Sequence, residues 1–102
     1  LSADKILTAL GEPMRRRLLE TLAVSSPMTA TQLAKEFPIS RQGILKHLDV
    51  LEDAGLVSVN RKGRDKRYIL KTEPLTEVEQ WLHDVSEQWD QRLWRLKELV
   101  ED

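Results

Sequence analysis

The 102-residue sequence has no cysteine, which excludes disulfides, thiolate metal sites and a cysteine nucleophile. It has only two histidines, His47 and His83, too few nitrogen ligands for a zinc-type centre within one chain. Its four glycines are scattered and form no Gly-rich phosphate loop. Ser40 and His47 would lie about two turns apart on one helix, too far for a hydroxyl and its base to meet. Catalysis needs an activated nucleophile, a carboxylate pair in a cleft, a metal cluster or a phosphate loop. None is in view, so no enzyme and no cofactor is expected. No run of eighteen apolar residues could span a bilayer. The apolar start from Lys5 to Leu10 is too short for a signal peptide and is followed by charge. A cytoplasmic location fits these absences.

What is present suits a single globular domain. Hydrophobic residues make up 40% and charged residues 32% of the chain, a balance that supports one core at this length. The net charge of −1 conceals a segregation. Between Val59 and Lys71, Arg61, Lys62, Arg64, Lys66, Arg67 and Lys71 stand against Asp65 alone. From Glu73 to Asp102, nine acidic residues stand against Arg92, Arg95 and Lys97. Local fields rather than the total decide whether a polyanion is attracted.

The apolar spacing predicts helices first. Ile6, Leu7 and Leu10 mark a short helix over 2–10, stopped by Gly11. Pro13 suits the first turn of a second helix carrying Met14, Leu18, Leu19 and Leu22, which Ser25, Ser26 and Pro27 break. Thr29 with Gln32 reads as a capping box for a helix over Thr29–Phe37, ended by Pro38. Ser40 caps a helix over Ser40–Ala54 with Ile44, Leu48 and Leu51 on one side, and Gly55 is placed to close it. Then the period changes. Leu56, Val57 and Val59 read as a strand, Lys62-Gly63-Arg64-Asp65 as a turn, and Arg67 to Leu70 as the returning strand. After Pro74, Thr76 and Glu79 read as a second capping box. The long helix that follows, 76–100, has Val78, Leu82, Val85, Trp89, Leu93, Leu96 and Val100 spaced 4, 3, 4, 4, 3 and 4, with Trp81, Trp94 and Leu99 widening the stripe.

The predicted class is therefore mainly α with a small β-hairpin, in the order α-α-α-α-β-β-α. The helix pair over 29–54, with its tight turn at Pro38 and Ile39, has the form of a helix-turn-helix, whose second helix enters the major groove. Thr29, Ser40, Arg41, Gln42, Gly43, Lys46 and His47 would then stand near DNA. Arg41 could fork onto guanine and Gln42 pair with adenine or a phosphate. Gly43 would allow close backbone approach, and Lys46 and His47 suit phosphates. The hairpin over 56–71 bears Arg61, Lys62, Arg64, Lys66 and Arg67, which could neutralise phosphates along a minor groove. Each piece has a plainer reading, a solvated helical hairpin for the first and a charged edge that resists aggregation for the second. Their succession favours a winged helix-turn-helix. The rival is a winged helix used for protein–protein contact without sequence-specific DNA binding.

Three segments carry a resemblance. Gly11-Glu-Pro-Met-Arg-Arg-Arg-Leu-Leu19, Ile39-Ser-Arg-Gln-Gly-Ile-Leu-Lys-His-Leu-Asp-Val-Leu-Glu-Asp-Ala-Gly-Leu-Val57 and Gly63-Arg-Asp-Lys-Arg-Tyr-Ile-Leu70 resemble the opening, recognition helix and wing of the ArsR/SmtB repressors. The resemblance implies a dimeric winged helix that represses its own operon from a pseudo-palindromic operator, on the bacterial nucleoid. Its first and last helices would pair across the two-fold axis, through Ile6, Leu7, Leu10, Leu82, Val85, Trp89, Leu93 and Leu96. Many members sense metal or arsenite through cysteines in the first helix of the pair, but Thr31-Gln-Leu-Ala-Lys-Glu-Phe37 has none. Others use Asp and His pairs on the last helix, which here offers His83, Asp84, Glu87 and Asp90 with one imidazole. A non-metal branch is expected, with a small-molecule or protein effector left open. The tryptophans fit a dimer seam better than a ligand pocket.

Overall fold

A computed structural model describes residues 2–100. Seven elements follow one another: α1 (Ser2–Leu10), α2 (Pro13–Ser25), α3 (Ala30–Ala34), α4 (Arg41–Asp53), β1 (Val57–Lys62), β2 (Asp65–Leu70) and α5 (Glu73–Val100). The order is that of a winged helix, with the antiparallel β1–β2 hairpin between α4 and α5.

Local chemistry explains most of the boundaries. Glu12 caps α2 by accepting the Arg15 N–H at 2.9 Å, and Pro13 opens the first turn. Thr29 and Gln32 form a reciprocal capping box on α3. Ser40 caps α4 through the Gly43 N–H at 3.1 Å. Gly55 leaves α4 at φ +76°, a left-handed turn that costs other residues strain. Gly63 has φ +64° while Arg64 does not, so the hairpin reverses with its glycine at the first central position of a two-residue turn. The arginines after Pro13 close the other side of the first turn. Arg15 donates from Nε to the Ala9 carbonyl at 2.7 Å and from Nη2 to Thr8 at 3.1 Å, and Arg16 donates to Leu10 at 2.6 Å. Together they satisfy the last carbonyls of α1, where a cation also meets the negative end of the helix dipole.

One core holds the domain. Leu18, Leu22, Leu33, Ile44, Leu48, Leu51 and Leu56 are fully buried together with Ile6, and Ala9, Leu19, Ala30, Ala54, Val57, Tyr68 and Val78 complete the cluster. Truncating a central member such as Leu48 to alanine should cost about 2–5 kcal/mol. Tyr68 does more than fill space. Its backbone exchanges both hydrogen bonds with Met28, at 3.1 and 2.8 Å, and so ties the wing to the segment before α3.

Four expectations need correction. α3 stops at Ala34 rather than Phe37, because the N–H groups of Lys35 and Glu36 turn to carbonyls three residues back, and helical geometry is sterically disfavoured for the residue before Pro38. Helix α5 begins at Glu73, so Pro74 sits in its first turn, and Thr76 donates its hydroxyl back to the Thr72 carbonyl instead of capping. Ile6 has 0% exposure inside the chain's own core and has no surface to offer a second copy. Trp94 follows Trp89 by five residues, about 140° round the helix. It stands beside Asp90, Leu93 and Lys97, away from the centre of the apolar stripe.

The long helix leaves the domain soon after it begins. Val78 is buried and Pro74 and Leu75 are half-buried, but every residue from Glu79 to Val100 is exposed. The chain measures 69 Å along its long axis against 25 and 22 Å across.

Candidate nucleic-acid interface

Helix α4 presents three faces. Ile44, Leu48 and Leu51 point into the core. Gln42 and Lys46, four residues apart, are exposed on the opposite side. Arg41 and Leu45 flank that side toward the wing, while Gly43 and His47 flank it toward α2. The His47 Nδ1 lies 3.9 Å from Glu12 Oε2, so the residue that caps α2 also faces the recognition helix. Charge is polarised along α4 as well. Arg41 and Lys46 occupy its N-terminal half, and Asp49, Glu52 and Asp53 its C-terminal half. A polyanion is therefore attracted to one end of the helix and repelled from the other.

The wing brings a second set of cations to the same end. Arg61 pairs across the hairpin with Lys66, Asn60 with Arg67, and Lys62 with Asp65. Arg64 stands at the tip, exposed like Lys62 and Lys66, whereas Arg67 is half-buried. Between wing and helix pair runs an open groove of about 540 Å³, lined by Thr29, Thr31, Gln32, Arg41, Arg64 and Lys66 with Tyr68. Arg41 is anchored there, its Nε donating to Thr31 Oγ1 at 3.2 Å. Burial raises the Tyr68 hydroxyl pKa, with Asp49 and Glu52 adding to the effect and Arg41 opposing it.

Of the sequence-predicted DNA residues, Gln42 and Lys46 project freely from α4, and Lys62, Arg64, Lys66 and Arg67 lie along the wing. Thr29 and Ser40 serve first as helix caps. Arg41 turns toward the wing and Thr31 rather than straight out from α4. Sequence reasoning missed Thr31, ten residues from its partner, because no periodicity within one helix signals a contact between two. It also missed the structural use of Arg15 and Arg16, although a pair of arginines just beyond a helix end was a visible cue.

The predicted seam residues divide in the same way. Leu82, Val85, Trp89, Leu93 and Leu96 are all about half exposed along one side of α5. Leu7 is partly exposed on the outer side of α1, near Val78 and Trp81. Leu10 is half-buried against the core.

Comparison with known proteins agrees with this geometry. A family model described as a helix-turn-helix domain matches residues 10–60. YuzN, an uncharacterized HTH-type transcriptional regulator of Bacillus subtilis (strain 168), is 42% identical over 71% of this chain and 85% of its own length. The transcriptional repressor SdpR of the same organism is 34% identical over 78% of this chain and 87% of its own. The solved structure of an ArsR-like transcriptional regulator from Rhodococcus sp. RHA1 matches at a TM-score of 0.91 and 32% identity, over 98% of this chain and 91% of that one. The chain belongs to the ArsR family of winged helix-turn-helix transcriptional regulators, and it regulates transcription through a DNA-binding domain.

Proposed function

We propose that this regulator is a homodimeric repressor that occupies a pseudo-palindromic operator, including that of its own operon, and that its effector is not a transition metal. The observation that carries the reading is the single basic surface formed by the N-terminal half of α4 and the wing, with acidic residues withdrawn to the far end of α4 and to α5. In a dimer that surface occurs twice, and half-sites about one helical turn apart would accept both recognition helices. The similarity to SdpR supports repression. The seam is supported by α5, whose apolar stripe recurs every 11 residues at Val78, Trp89 and Val100, a period that keeps it on one side of a nearly straight helix. Left uncovered, a stripe of this length would be an aggregation hazard, and a second copy covers it most simply. Against metal sensing stand the absence of cysteine and the separation of the two histidines. His47 faces Glu12 on the DNA side, and His83 lies 3.4 Å from Glu87 on exposed α5.

The test is a mobility-shift titration against the promoter of the protein's own operon, with unrelated duplex as competitor, alongside sedimentation of the free protein. Tight, competitor-resistant binding by a dimer is expected. Equal affinity for both duplexes, with the wing cations engaging an acidic protein instead, would favour the protein-docking alternative.

A further inference from the structure

We infer that the groove between α3 and the wing seats a backbone phosphate of the DNA, with Arg41 as its anchor and Thr31 as the residue that positions Arg41. The inference rests on the DNA-binding function and changes the role of one residue within it. The spacing of α4 alone makes Arg41 a reader of base edges. The geometry instead places it on the flank of α4, bonded through Nε to Thr31 and lining the groove with Arg64 and Lys66.

Three features point to phosphate. First, Arg41, Arg64 and Lys66 converge on the groove, Asp65 is its one acidic lining residue, and none of the three cations has a carboxylate within 4.0 Å among the described residues. Cations gathered without partners repel one another until an anion enters. Second, the Nε–Thr31 bond fixes the guanidinium plane while four of its five N–H donors stay free, and a fixed fork suits phosphate oxygens. Third, Arg41 lines the groove from the flank of α4, whereas Gln42 and Lys46 stand exposed on the side opposite the core. Arg41 can therefore clamp the backbone while Gln42 and Lys46, pointing straight out, meet base edges. Backbone contacts fix register and orientation, and base contacts carry sequence.

The test uses full-length wild type and the variants Arg41→Met, Thr31→Val, their combination and Gln42→Ala, on a duplex selected by the wild type from random sequence and on an unrelated duplex. Arg41→Met keeps the aliphatic stem of an exposed residue, and circular dichroism checks its fold. It should weaken both duplexes by the same factor and lower the slope of log affinity against log salt by about 2 per dimer, one phosphate per protomer. Thr31→Val should act in the same direction and add nothing once Arg41 is gone. Gln42→Ala should cost roughly tenfold per half-site on the selected duplex alone. Replacing phosphates one at a time by neutral methylphosphonates should reveal a position that matters to the wild type and not to Arg41→Met. Overturning results are a loss for Arg41→Met at least tenfold larger on the selected duplex than on the unrelated one, or a methylphosphonate profile identical in both proteins. A wild type without affinity for any duplex would remove the DNA-binding function itself, and this assignment with it.

Discussion

Gly43 separates the needs of the fold from those of the interface. It is the third residue of α4, and its N–H donates to Ser40 Oγ at 3.1 Å. Its φ is not positive, unlike those of Gly55 and Gly63. An added Cβ would lie 3.5 Å from Ile39 Cδ1 and from Ser40 Oγ, ordinary contact that requires no movement. The protein interior therefore gives no reason for glycine here, while a helical glycine costs about 0.5–1 kcal/mol relative to alanine. Gly43→Ala should stabilise the domain by that amount and raise its melting temperature by roughly 2–8 °C. The space left open faces outward, one turn before His47, where the α4 backbone would approach DNA. A methyl group forced into a close-packed contact costs about 1–3 kcal/mol, so operator affinity should fall even as the fold gains stability. Thermal melting by circular dichroism and anisotropy titration on the same preparation measure both effects. A lower melting temperature would show that the fold itself needs glycine. A higher one with unchanged affinity would show that α4 does not approach DNA at this point.

Four further outcomes are expected. Trp89→Asp and Leu93→Asp each place unpaired charge on the α5 stripe and should convert the proposed dimer to monomer in sedimentation; an unchanged dimer for both would refute the seam. Arg15→Ala removes two bonds to α1 carbonyls and should cost about 1–2 kcal/mol in urea denaturation, whereas Arg17→Ala should cost little. Tyr68 is the only tyrosine, so phenolate absorbance isolates it, and its pKa should lie above the ordinary 10.0 in the folded protein. The neutral phenol then contributes stability that is complete below pH 10.0 and is lost as pH rises through the folded value, and Tyr68→Phe should flatten this alkaline limb in denaturation series. Zinc, cadmium or arsenite at one equivalent should leave operator affinity unchanged, and a tenfold loss reversed by chelator would expose a metal site.

The sequence was most informative where a local rule had no competitor. Thr29 with Gln32, Ser40 before an apolar period of three and four, and Gly63 between two cation-rich strands each specify a cap or turn through neighbours close in sequence. It misled where one residue type serves two purposes. Thr76 with Glu79 reads as a helix start after Pro74, yet proline is itself at home in a first helical turn, and α5 uses it there. Ile6, Leu7 and Leu10 are all apolar, so their pattern could not say which side of α1 faces inward; packing puts Ile6 and Ala9 inside and leaves Leu7 outside. Pairings between elements, Arg41 with Thr31 and Met28 with Tyr68, left no periodic trace because each joins single residues of segments that only the fold brings together.

The two sides of α1 also suggest how a seam and a DNA surface would communicate in the proposed dimer. On its inner side Ile6 and Ala9 share the core with Leu48 and Leu51 of α4. On its outer side Leu7 meets the groove with Val78 and Trp81 of α5. At the far end of α4, Lys5 lies 3.3 Å from Asp53, but both side chains are largely exposed, so this ion pair adds little rigidity. The mechanical link is the packed core. Close-packed interiors transmit small displacements rather than absorbing them, so a change in how two copies of α5 cross would pass through α1 to α4 and alter the spacing of the recognition helices. A protein whose Arg15 and Arg16 hold the end of α1 firmly to α2 should couple the two surfaces more tightly than one in which that end frays. Arg15→Ala should therefore reduce operator affinity more than affinity for unrelated duplex, since only the operator demands one fixed spacing between half-sites. An equal loss on both duplexes would mean that α1 stabilises the domain without setting its geometry on DNA.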